Sequence, residues 1–171
     1  MKNILVCFYL LLPGITYAQT SVQEAHFNNE KNLFKFISKT LSQARRRKAV
    51  DSMCVNSVAC AKFTVDSVGK IASLHFSKNT PIAIKELLTE VINSTDGYWN
   101  PRKINGKAVE SKPFLLTLVY FLNTGCLNWK DGPDQFSSAL PNLFTFDNDE
   151  KSHDQLDCII LGTITLYPAV R

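Results

Sequence analysis

The segment "SVACAKFTVDSVGKIASLHF", residues 57–76, constrains the fold of this 171-residue chain more than any other. From residue 57 to 65 the side chains alternate. Ala59, Ala61, Phe63 and Val65 point one way and Cys60, Lys62 and Thr64 the other, the period of two that a strand imposes. Residues 66–70, "DSVGK", supply turn formers, with Gly69 free to take positive φ, and residues 70–76 resume the extended pattern. The spacing predicts a β-hairpin with an apolar face, and such a face must be covered.

Helical periodicity on both sides offers the cover. From Asn29 to about Arg45, Leu33, Phe34, Phe36, Ile37 and Leu41 fall largely on one helical face, with lysines between them. After the hairpin, Thr80 before Pro81 marks a helix start. The residue preceding proline is held extended, as an N-cap requires, and proline suits the first helical position. Ile84, Leu87, Leu88, Val91 and Ile92 form the stripe to be buried, and Gly97 lies just past the end.

The next stretch, "GYWNPRKINGKAVESKPF", carries a chain corner. Tyr98 and Trp99 arrive where the helix hands over to the sheet, and a large ring there can close the open end of a small core. Pro101 fixes the exit direction and Asn105-Gly106 favours a tight reversal. Residues 113–122, "PFLLTLVYFL", then read as a third strand running against both hairpin partners. Residues 158–167 look like one more strand. The expected class is α+β: an antiparallel sheet of three strands plus a C-terminal strand, with two main helices packed on one face.

The N-terminus is set apart from this frame. Lys2, the apolar run "ILVCFYLLLPGI" and the small residues Thr16 and Ala18 read as a secretory signal peptide over residues 1–18, cleaved before Gln19. Its apolar part is shorter than the roughly 20 residues a spanning helix needs. Residues 19–122 form the expected domain and 123–171 an extension packed on it. The formal charge of the whole chain is +4, and losing Lys2 lowers it by one, too mild a balance to imply a polyanionic partner.

Cys7 leaves with the peptide, and Cys54, Cys60, Cys126 and Cys158 remain. An even number in an exported chain favours disulfides. Of the possible pairings, Cys54 with Cys60 and Cys126 with Cys158 ranks first, because the former would close a short loop just before a strand and the latter would tie the end of one strand to the start of another. No C-x-x-C pair is present, which argues against a zinc knuckle.

A search for chemistry finds no G-x-S-x-G elbow, H-E-x-x-H helix or phosphate loop. His26, His75 and His153 lie far apart in sequence, and no nucleophile and base can be paired. Residues 147–157, "DNDEKSHDQLD", hold hard oxygen donors, but Ser152 stands where a calcium loop needs glycine, so a solvated loop is expected. "RRRK", Arg45 to Lys48, reads as a solvated connection between helix and hairpin, since no aromatic residues interleave with it. No enzymatic activity, cofactor, metal or nucleic-acid partner is expected.

Three segments in sequence order carry a resemblance: "AKFTVDSVGKIASLHF", "YWNPRKINGKAV" and "FLLTLVYF". Together they resemble the C-terminal domain of TonB-type energy transducers, over roughly Leu33 to Phe121. Where that family shows a Tyr-Pro corner after its first helix, Ser42-Gln43 stand here. The uncleaved anchor and the long Pro-rich spacer of a transducer are also missing, so a stand-alone exported member is expected, periplasmic or envelope-associated.

The resemblance implies a protein partner, an outer-membrane receptor or other envelope protein. It would be recognised by strand addition at the edge formed by Phe114, Leu115, Leu116, Thr117, Leu118, Val119, Tyr120 and Phe121. The C-terminal strand competes for that edge from within the molecule. Two readings follow: a non-catalytic envelope protein-binding module with an open edge, or a structural or assembly protein of the envelope whose edge its own tail fills.

Overall fold

The computed structural model describes residues 20–28, 32–48, 56–121, 132–147 and 157–167. In chain order the elements are β1 (Val22–Gln23), β2 (His26–Phe27), α1 (Leu33–Lys48), β3 (Asn56–Val65), β4 (Ile71–Phe76) and α2 (Ile82–Asn93). They continue with β5 (Trp99–Asn100), β6 (Arg102–Ile104), β7 (Lys107–Val109), β8 (Phe114–Phe121), α3 (Gly132–Ala139) and β9 (Ile159–Leu166). The class is α+β.

The main sheet has the order β4-β3-β8-β9. β3 pairs antiparallel with β4 on one side and with β8 on the other, from Asn56↔Phe121 to Phe63↔Phe114. β8 therefore runs against one hairpin partner and not both, because β3 is central and leaves β4 at the edge. The expected alternation holds. Ala59, Ala61, Phe63 and Val65 join Phe114, Leu116, Leu118 and Tyr120 on one face, together with Ile37 and Leu41 of α1 and the α2 stripe. Every residue of that stripe, Ile84, Leu87, Leu88, Val91 and Ile92, is buried. Burying side chains of this size contributes about 1.5–3 kcal/mol each.

The opposite face has its own cover. Val58, Cys60 and Leu115 pack with Leu143 and Phe146, and Phe136 and Ala139 of α3 lie against them. α3, which sequence periodicity does not suggest, lies on this opposite face, and α1 and α2 share the first.

Trp99 closes the end of the main core. It is buried, with its ring 4.8 Å from Phe114, 5.5 Å from Phe27 and 5.8 Å from Phe63, centroid to centroid. Its indole N–H donates to the Thr95 hydroxyl at 2.9 Å, and that hydroxyl donates to the Ile92 carbonyl at 2.6 Å, so the polar edge of the plug is satisfied. The hairpin turn packs beneath it. The Asp66 carboxylate accepts from the Val68 and Lys70 amides, and the Gly69 carbonyl accepts from Gly97 N–H. The backbone amides of Lys70, Val68 and Gly69 hold the Asp66 carboxyl below its usual range.

Local details depart from expectation. Residues 45–48, expected as a connection, form the last helical turn of α1, consistent with the high helix propensity of arginine and lysine. Pro81, and not Thr80, occupies the N-cap of α2, while the Thr80 hydroxyl donates to the Ser77 carbonyl. Ahead of α1, β1 pairs with β6, and β2 with β5. Asn105 and Gly106, both at positive φ, make the expected reversal between β6 and β7.

Candidate functional site

Strand β8 was the expected docking edge, and the structure places it inside the sheet. β9 pairs with it in parallel, from Phe114↔Ile159 to Tyr120↔Leu166. The register is anchored where the Ile159 amide donates to the Pro113 carbonyl at 2.8 Å, and Lys112 reaches Asp157 at 2.8 Å beside it. Phe114, Leu115, Leu116, Leu118 and Tyr120 are buried, and Thr117, Val119 and Phe121 are half-buried. The C-terminal strand thus occupies this edge from within the molecule.

A bulge makes the tail fit. The register shifts between Leu115 and Leu116, so that Leu115 faces Ile160 while Leu116 faces Gly162. One extra residue in β9 resets the alternation. Ile159 and Leu161 before it and Ile164 and Leu166 after it all pack on the core face. Gly162, at φ +128°, lies under the ring of Phe34 from α1. Tyr167 stacks on Phe121 with centroids 5.6 Å apart, closing the far end.

The cysteines do not form the expected bridges. Cys60 and Cys158 are free thiols, so neither is engaged in the Cys54–Cys60 or Cys126–Cys158 pairing; Cys54 and Cys126 lie outside the described residues. Both thiols belong to the second cluster, under Phe146 and Leu143. Burial pushes the Cys60 thiol up to about 11, against the opposing effect of a Thr117 hydroxyl contact. Burial and the Asp157 carboxylate raise Cys158, with Lys62 opposing. Thiols held protonated in this way are weak nucleophiles. Lys62 also stands 4.5 Å above the Phe146 ring.

Other singled-out residues are dispersed. His26 lies near Asn100, with its Nε2 3.1 Å from the Asn100 amide nitrogen, and His75 sits opposite Lys62 in the β3–β4 ladder. His153 and most of the acidic stretch 147–157 lie outside the described residues, but its two ends are tied down, Asp147 by Lys85 and Asp157 by Lys112. Among the described residues no cluster of His, Cys, Asp or Glu could hold a metal ion. No helix among them is long and apolar enough to cross a membrane. The signal-peptide segment, residues 1–18, also lies outside them.

The two outer strands of the sheet differ. At β4 the edge is closed at its two ends. Asp147 N–H donates to the Phe76 carbonyl, Lys78 N–H to the Thr145 carbonyl, and the Ile71 amide to the Asp96 carboxylate at 2.7 Å. A shallow cleft of about 270 Å³ remains there, lined by Ile71, Ala72, Ser73, Leu74, Phe76, Thr89 and Asn93. At β9, among the described residues, no strand pairs with the outer side.

The signal for the missed α3 was present in Phe136, Ala139, Leu140 and Leu143, spaced at helical intervals, but the segment is short and bounded by Gly132 and Pro141. A scan against protein-family models, a search of curated proteins and a search of solved structures each returned no match to this chain.

Proposed function

We propose that this chain is a non-catalytic structural or assembly protein of the cell envelope, similar to a TonB-type C-terminal domain, with its sheet edge filled by its own C-terminal strand. One observation carries the reading: β9 hydrogen-bonds in parallel along β8, the strand that a TonB-like binding module would offer to an extended partner. A tethered strand acts at an effective concentration near the millimolar range, so a weak external peptide competes poorly for that edge. Contacts with other molecules then fall to the outer side of β9, the helices and the loops. The apolar leader with its small residues before Gln19 supports export.

Amide hydrogen exchange on the native protein, alone and after incubation with envelope extract, tests this. The β9 amides stay protected in both conditions. Selective loss of β9 protection in extract, together with photo-crosslinks from Thr117 to an envelope protein, would restore recognition of an extended partner at β8 and remove the assembly reading.

A further inference from the structure

Among the described residues no strand pairs with the outer side of β9, and its backbone pattern determines what fits there. Ile159 faces β8 with its backbone, because its amide donates to Pro113, and it aligns with the even-numbered Phe114. Residues aligned with odd-numbered positions of β8 therefore turn their N–H and C=O outward. These are Ile160 (opposite Leu115), Thr163 (opposite Thr117) and Thr165 (opposite Val119). Their side chains are also exposed, Ile160 at 73%, and Tyr167 just beyond them at 65%.

We propose that two copies of this chain pair through the outer edges of β9, antiparallel and centred on Ile164, joining two four-stranded sheets across a two-fold axis. This rests on the assembly reading above and names its partner as a second copy.

The occupant follows from charge and symmetry. Ile159–Leu166 reads "IILGTITL" and holds no charged residue and no proline, the devices that ordinarily keep an edge from pairing. An antiparallel copy of an uncharged strand meets no like charge anywhere along it, so a second copy pairs without electrostatic penalty. Centring on Ile164 sets Thr163 opposite Thr165 of the second copy, twice. Both residues turn their backbone groups outward, so each such pair exchanges two hydrogen bonds. In the same register the bulge brings Ile160 beside Tyr167 of the other copy, covering the two most exposed apolar side chains near this edge. The β4 edge lacks this self-complementarity: it is flanked by Lys70 and Lys78 and partly sealed by residues 145–147.

Sedimentation of the mature protein over a range of concentrations, with two paired variants, provides the test. The native chain is expected to dimerise. Thr163→Lys with Thr165→Lys places lysine against lysine at both symmetric pairs and weakens the dimer by more than about tenfold. Thr163→Lys with Thr165→Glu places lysine against glutamate at both pairs and restores it. Circular dichroism checks that both variants keep the native fold, as substitution at exposed positions allows.

A native protein that is monomeric at about 100 µM overturns the proposal, since a specific interface would be populated there. So does a dimer equally stable in both variants. A monomer whose β9 stays protected and which still crosslinks to envelope proteins ends self-pairing while leaving the assembly reading in place.

Discussion

The ring tip of Phe34 in α1 approaches Gly162 of β9: a Cβ placed on Gly162 would lie 2.9 Å from the Phe34 Cζ, and Gly162 itself sits at φ +128°. The contact joins the first helix of the domain to its last strand. It requires a residue without a side chain at the bulge that resets the phase of β9.

Gly162→Ala is expected to loosen the tail without unfolding the domain. The backbone strain is worth about 1–3 kcal/mol, and the clash with the ring tip adds less, because a phenyl side chain can swing away. Hydrogen exchange should quicken in β9 and leave β3 and α2 unchanged. Adding Phe34→Ala relieves the clash alone and recovers only a small part of the loss.

Gly69→Ala is expected to be more damaging, because its Cβ would stand 2.4 Å from the Trp99 carbonyl oxygen, a backbone atom that cannot rotate out of the way. A loss above about 2 kcal/mol in urea unfolding should result, combining positive-φ strain with the clash. Gly106→Ala is the control. Its φ is also positive, at +79°, but the space around it is open, so it should cost about 1 kcal/mol.

How far these positions could be read from residue order differs. Gly69 was legible, because turn residues flank it and the alternation of Ala59, Ala61, Phe63 and Val65 fixes the face of the strand before it. The α2 stripe and the Asn105-Gly106 reversal were legible for the same reason: each is a local period or a local φ requirement. The bulge at Gly162 was not, since "IILGTITL" reads as one apolar run and the phase shift exists only against β8. Strand order escaped too. Nothing in residues 113–122 says that β3 stands between them and β4, nor that the tail arrives in parallel. The cysteines misled because parity argues for pairing, whereas geometry places Cys60 inside the second cluster as a free thiol.

Thr95→Val is expected to cost about 1–3 kcal/mol despite its near-equal volume. It strands the buried Trp99 N–H and removes the hydroxyl that donates to Ile92. Trp99→Phe in that background should lose less than it does alone, since the orphaned donor is gone. Thermal unfolding of the two single variants and the double variant measures the coupling.

The Cys60 thiol should resist alkylation. At pH 8 a thiol with a pKa of about 11 is ionised in roughly one molecule per thousand, so peptide-resolved labelling of Cys60 should run about 100-fold slower than for an unhindered cysteine. The same shift sets a sign for stability. Below the ordinary value of 9.0 both folded and unfolded chains hold the proton; above it the unfolded chain releases a proton that the folded one keeps. Stability therefore declines from pH 9 towards 11, and Cys60→Ala should flatten that part of the curve.

The parallel pairing of β8 with β9 also bears on how the chain comes into being. β3, β4 and β8 are all available once residue 121 has been synthesised, but the strand that seals them, β9, emerges only some forty residues later. Throughout that interval the nascent protein exposes a row of bare amides and carbonyls flanked by leucines, open to pairing with any extended chain it meets. A premature stop or a proteolytic cut anywhere between Phe121 and Ile159 would make that transient adhesiveness permanent.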